Sequence, residues 1–163
     1  MSMLRVLRKY RSLPALERRL LLEAICLLGV MRAAILLFPF RWISRCLHLA
    51  QGDGNSEMNA EQQAYASNIG FVIALAAVHT PWLSTCLTQT LAGMTMLRRR
   101  ALTGTLYLGV ARDKSTGNET LTAHSWLICG GEVLIGATGN MQFTPIARFT
   151  WSARTAMVTH RNK

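Results

Sequence analysis

An α+β fold, helices first and an antiparallel sheet after them, is what this sequence predicts. Three observations carry the expectation. Apolar residues recur at helical spacing from Pro14 to Phe38 and again from Leu83 to Met94, the period of a helix with one buried face. After Arg100 the pattern changes to short runs of Val, Leu, Ile, Thr and aromatic residues separated by DKSTGN, GG and TGN, which are strand and turn chemistry. With 163 residues and 50% hydrophobic content, the chain can bury one core and is short for two independent domains.

Pro14 suits the first turn of a helix, with Ser12 before it as a cap, and that helix is expected to run until Phe38 meets Pro39. A second, shorter helix is expected from residue 41 to about residue 50. The stretch QGDGNSEMN, residues 51–59, reads as an exposed loop. Asn59 and Gln62 stand at capping-box spacing and open a helix to about residue 78, which His79, Thr80 and Pro81 end. The next helix is capped by Ser84 or Thr85 and repeats Leu83, Leu87, Leu91 and Met94. Arg98, Arg99 and Arg100 in its last turn suit the negative end of the helix dipole. Strands are expected over residues 102–111, 121–129, 132–138 and 148–153. The organisation is a helical lead-in and loop, 1–58, followed by a core, 59–163, in one compact unit.

Lys and Arg total 18 against 8 Asp and Glu, a formal net charge of +10, which favours acidic partners. The arginines are scattered and no aromatic residues interleave with them for base stacking, so no nucleic-acid partner is expected. Cys26, Cys46, Cys86 and Cys129 lie far apart without a CxxC pair, and His48, His79, His124 and His160 are equally dispersed. No metal site is expected, and without a signal peptide the chain reads as a reduced, cytoplasmic protein. The apolar run over residues 20–40 has the length of a membrane span. Glu23 and Arg32 interrupt it at a cost in hydrocarbon, so a core helix, or a face docking on a partner or a membrane surface, is the better expectation.

Cys86 falls in the first turn of its helix, where a thiolate is favoured if a base that can become cationic stands near. His124, in the strand reading AHSW, is the candidate base. Alternation puts His124, Trp126 and Ile128 on one face of that strand and Ser125, Leu127 and Cys129 on the other. If the His124 face packs on the Cys86 helix, imidazole reaches thiol. Cys129 then points away and reads as a packed small apolar residue. Spacing alone does not separate this pair from a core cysteine and a structural histidine.

The segment CLTQTLAGMTMLRRRALTGTLYLGVARD, with AHSWLICGGEVLIG and FTPIARF after it, resembles the small transglutaminase-like cysteine peptidases that process lasso-peptide precursors. Shared are a Cys-Leu pair opening a helix, an L-R-R-R ending, a strand closing on Gly-Val, an A-H-x-W strand, a G-x-V-hydrophobic strand and a late F-x-P, over residues 86–149. LERRLLLEAICLL and LFPFRW resemble the helical lead-in of the same family.

This resemblance implies a papain- or transglutaminase-like fold, with the antiparallel sheet packed on the nucleophile helix, and leader removal by a Cys-His-acid triad. Carried over by position, Cys86 is the nucleophile and His124 the general base. The third member is an aspartate in many relatives, and Gly136 stands at its place here. Asp113, Glu119 and Glu132 are the only acids after Cys86 and each is offset; Asn140 is a neutral candidate. The orienter stays open among Asn140, Asp113, a backbone carbonyl and none. The Cys86 N–H is the natural oxyanion donor, with Gln89 a weak second.

The implied function is a leader peptidase of lasso-peptide biosynthesis, with no metal or organic cofactor. The implied partners are the precursor peptide, a separate leader-recognition protein and a macrolactam synthetase, with peripheral membrane contact through the apolar helix as a further expectation. The alternatives are an acyl-transferring transglutaminase or amidase, and a non-catalytic membrane-surface scaffold.

Overall fold

The computed structural model describes residues 15–52, 54, 57–113, 120–138 and 142–151. Among them are helices α1 (Ala15–Leu37), α2 (Phe40–Cys46), α3 (Ala60–His79) and α4 (Cys86–Arg99). Strands β1 (Ala50–Gln51), β2 (Thr105–Asp113), β3 (Thr120–Cys129), β4 (Glu132–Ile135) and β5 (Thr144–Thr150) form one antiparallel sheet in the order β1-β5-β2-β3-β4. The fold is α+β, a helical layer against a sheet.

In α1, Leu20, Ala24, Leu27, Leu28 and Met31 are buried at helical spacing, and the helix packs on α3 and α4. By length and composition α1 could cross a membrane. Half of the core-helix expectation is met: one face enters the core, while Leu22, Val30, Leu36 and Leu37 on other faces are exposed. Glu23 closes the packed side, its carboxylate 2.9 Å from Arg99 Nη1 and 2.7 Å from Arg100 Nη2 at the end of α4.

The shorter helix α2 stops at Cys46, earlier than its sequence suggested. The Leu47 N–H still bonds to the Ile43 carbonyl, and then His48 takes φ 52 and turns the chain out of the helix. The expected loop therefore begins with a strand: Ala50 pairs with Thr150 and Gln51 with Phe149. The capping box of α3 is complete, with Asn59 Oδ1 accepting from the Gln62 N–H at 2.8 Å and Gln62 Oε1 from the Asn59 N–H at 3.1 Å.

Helix α4 lies between the layers. Thr88, Thr90, Leu91, Ala92, Gly93, Met94, Met96 and Leu97 are all buried, so apolar side chains on several faces find partners and the threonine hydroxyls must be satisfied internally. Thr90 Oγ1 donates to the Leu87 carbonyl at 3.1 Å and meets Ser125 Oγ of β3 at 3.2 Å. Gly93 sets the spacing, since a Cβ there would collide with Ile135 Cδ1 and touch Leu127 Cδ2 at 3.4 Å.

Strand β5 begins four residues earlier than expected. Its Pro145 faces Gly109 at a register shift in β2, beyond the two positions that β1 pairs. A proline is tolerated where the ladder is irregular and the outer neighbour has ended. Strand β4 stops at Ile135 because Gly136 takes φ 76.

Burial pushes the Glu23 carboxyl up, but the hydrogen bonds and charges of Arg100 and Arg99 outweigh it and hold the group below the ordinary value of 4.5. A carboxyl with a lowered folded pKa adds stability that is complete above the ordinary glutamate range and is lost as pH falls through the lowered value. At neutral pH, Glu23→Ala should cost about 1–3 kcal/mol of unfolding free energy. Urea midpoints taken through the acid range should fall more steeply for the native chain than for Glu23→Gln, which cannot titrate.

Candidate active site

Cys86 is the first residue of α4, and the loop before it is tied at both ends. Thr85 caps the helix by accepting the Thr88 N–H at 3.4 Å. Gln89 reaches back, its Nε2 donating to the Ser84 carbonyl at 2.8 Å, and Thr80 Oγ1 lies 3.0 Å from Ser84 Oγ. Trp82 anchors the loop on α1, its ring carbons so close to Gly29 that an added Cβ would lie 3.2 Å away. Gln89 is thus engaged in holding the loop through one of its two amide N–H groups. The first-turn amides of Cys86 and Leu87 are left ahead of the capped Thr88 N–H.

His124 is half-buried on β3. Its Nε2 lies 3.0 Å from the Gly136 carbonyl oxygen, which can only accept, so Nε2 carries the proton and Nδ1 keeps the basic lone pair. The ring packs on Phe143, centroids 4.9 Å apart, and on Trp126 at 6.1 Å; Trp126 in turn stacks on Tyr107.

Gly136, where the resemblance would place an aspartate, is closed to any side chain. Its φ of 76 aims the carbonyl at His124, and a Cβ there would stand 2.5 Å from the Ser125 carbonyl and 3.1 Å from Trp126 Cα. No side chain fits at Gly136, and among the described residues it is this backbone carbonyl that holds the His124 ring. Asp113 sits at the far end of β2, opposite Thr120, whereas Gly109 is the residue opposite His124. Four strand residues separate the two, about 13 Å, too far for Asp113 to bond the imidazole; its side chain is outside the described residues. Asn140 lies outside the described residues altogether.

The face of β3 that meets α4 is the one carrying Ser125, Leu127 and Cys129. Ser125 bonds Thr90, and Leu127 lies on Gly93. The expectation that the His124 face packs on the Cys86 helix is therefore corrected. Buried Ser125 finds its partner on α4, while the His124 and Trp126 rings are covered from the other side by Tyr107 and Phe143. Thr90 meeting Ser125 and Gly93 meeting Leu127 make α4 and β3 run in the same direction. Cys86, one turn before Thr90, is about 6 Å back, and Ala123, two residues before Ser125, about 7 Å back. Cys86 is thus level with Ala123, while His124 stands about 3 Å short of it along the strand and on the opposite face, and no hydrogen bond joins the two. Cys86 is half-buried and free.

Cys129 is a different kind of thiol. It is 1% exposed, its Sγ donates to the Thr103 carbonyl at 2.9 Å, and burial pushes it up to about 11. It is a packing residue. Among the described residues no three His, Cys, Asp or Glu side chains cluster as metal ligands. Sequence reasoning missed the Thr90–Ser125 contact and the Phe143 lid on His124. Only a buried-strand serine beside LIC hinted at the first, and nothing local marked the second.

A family model described as the transglutaminase-like superfamily matches residues 27–148. No curated protein and no solved structure gives a significant match.

Gly136→Ala should cost about 1–3 kcal/mol through its left-handed backbone and the Ser125 carbonyl, and should release His124 from the Nε2-protonated tautomer, read by nitrogen chemical shifts of the ring. Alkylation of the folded chain at mildly alkaline pH should modify exposed Cys26 and Cys46 and spare Cys129 until denaturant is added, as peptide mass mapping would show.

Proposed function

Because the chain belongs to the transglutaminase-like superfamily, whose fold is of the cysteine-protease and transglutaminase type, we propose that it is a cysteine peptidase removing the leader from a lasso-peptide precursor. Cys86 is the nucleophile in this reading and His124 the base. The observation that carries it is the His124 Nε2 bond to the Gly136 carbonyl, which fixes the tautomer a base needs and leaves Nδ1 to take the thiol proton. The ordered run of Cys-Leu, L-R-R-R, A-H-x-W and F-x-P motifs supports the substrate class.

In the reaction, Cys86 Sγ attacks the carbonyl carbon of the bond joining leader to core as its proton passes to His124 Nδ1. The oxyanion is met by the first-turn amides of Cys86 and Leu87. Collapse expels the core amine, which takes the proton from His124, and leaves the leader as a thioester. Water, deprotonated by His124, then releases the leader carboxylate. In this proposal Cys86 Sγ and His124 Nδ1, which no hydrogen bond joins among the described residues, must come within hydrogen-bond reach when substrate binds. A separate leader-recognition protein delivers the precursor in this proposal, and a macrolactam synthetase takes the freed amine.

The separation of His124 from α4 favours one second reading, a non-catalytic scaffold. Precursor, recognition protein and the native chain, Cys86→Ala or His124→Ala, followed by intact mass, distinguish the two. Leader release by the native chain, abolished in Cys86→Ala and slowed at least about a hundredfold in His124→Ala, supports the peptidase. Equal release with all three would sink it. With a labelled amine present, a leader–amine conjugate in place of the free acid would reassign the same pair to acyl transfer.

A further inference from the structure

The outward side of α1 carries an unpartnered apolar ridge. Leu22, Cys26, Val30, Ala33 and Leu37 recur every three or four residues and are all exposed, Leu37 at 73%. At the C-terminal end Phe38 and Trp42 extend it, Trp42 at 53% exposure. Between them a groove of about 250 Å³ opens, walled by Val30, Ala34 and Phe38 on one side and Trp42, Cys46 and Leu47 on the other. The charge around this end has one sign. From Ala24 to Gln51 the sequence holds Arg32, Arg41 and Arg45 and no acid at all, and Arg41 and Arg45 are exposed with no ion pair among the described residues.

We propose that this ridge lies on an anionic bilayer surface, with α1 in the plane of the headgroups rather than across them. Leu37, Phe38 and Trp42 enter the acyl boundary while Arg41 and Arg45 meet lipid phosphates. A helix lying in the interface needs an apolar side, flanking arginines and an aromatic residue at headgroup depth, and all three occur together here. A second copy of the chain fits the ridge less well, because this stretch of it brings the same arginines and no acid to meet them. The inward face of α1 stays in the core throughout, so docking requires no unfolding. The proposal stands apart from the peptidase chemistry.

The test uses the full chain with vesicles of phosphatidylcholine alone and of phosphatidylcholine mixed with phosphatidylglycerol, read by co-sedimentation and by tryptophan emission. Binding should be confined to the mixed vesicles, weaken with salt, and shift emission to the blue in the native chain but not in Trp42→Phe. Arg41→Glu with Arg45→Glu should lower the apparent affinity at least about tenfold, and Leu37→Asp should lower it with far-UV circular dichroism unchanged. Equal binding to both vesicle types, binding indifferent to the arginine pair, or no binding would each overturn the proposal. A dimer in light scattering that Leu37→Asp dissociates, without vesicle binding, would give the ridge to a second copy; retention by an acidic protein partner without vesicle binding would give it to that partner.

Discussion

The seat of α4 on the sheet governs the rest of the molecule. A helix buried on so many sides has little freedom to rotate or slide once its polar groups are paired. Here one hydroxyl contact, Thr90 to Ser125, fixes which side of α4 faces β3 and at what level. Gly93 fixes how close it lies, against Leu127 and Ile135. At the far end Arg99 and Arg100 hold Glu23 of α1, and Arg98 holds the Leu47 carbonyl. The position of Cys86 follows from these restraints, because it is the end of a rod pinned along its length.

How much of this was legible depended on how local each signal is. The Asn59–Gln62 capping box and the Thr85 cap are decided within four residues, and both were readable. So was the alternation of β3. Alternation names two faces without saying which meets the helix, and the polar look of Ser125 beside aromatic His124 and Trp126 points the wrong way. Its hydroxyl is spent on Thr90 in the interior, whereas the rings are covered by Tyr107 and Phe143, a neighbouring strand and a segment near the end of the fold. The stop of α2 was hidden for another reason: His48 adopts a left-handed backbone that non-glycine residues seldom take.

Gly136 holds His124 through a backbone carbonyl at a position where no side chain fits. An acid beside a catalytic histidine both holds its tautomer and offsets the positive charge it acquires. The Gly136 carbonyl supplies the first through a 3.0 Å bond and only a dipole's share of the second. An aspartate at position 136 would not supply the rest, since its Cβ would press on the Ser125 carbonyl. The backbone turn and the acid exclude each other at this position.

Helix α1 meets every compositional criterion for a membrane span and is nevertheless part of a packed layer, and Glu23 is the residue that decides between the two. In hydrocarbon its carboxylate would be a heavy cost. In the fold the same carboxylate is the tie between α1 and α4, shared by Arg99 and Arg100 and held ionised by them. Moving α1 into a bilayer would strip both arginines of that partner and open the face carrying Leu20, Ala24, Leu27, Leu28 and Met31. What remains available to a membrane is only the opposite side, where no charge interrupts the run from Leu22 through Val30 to Leu37. High hydropathy in α1 thus comes from one helix that carries two apolar sides, one packed in the protein's own core and the other exposed.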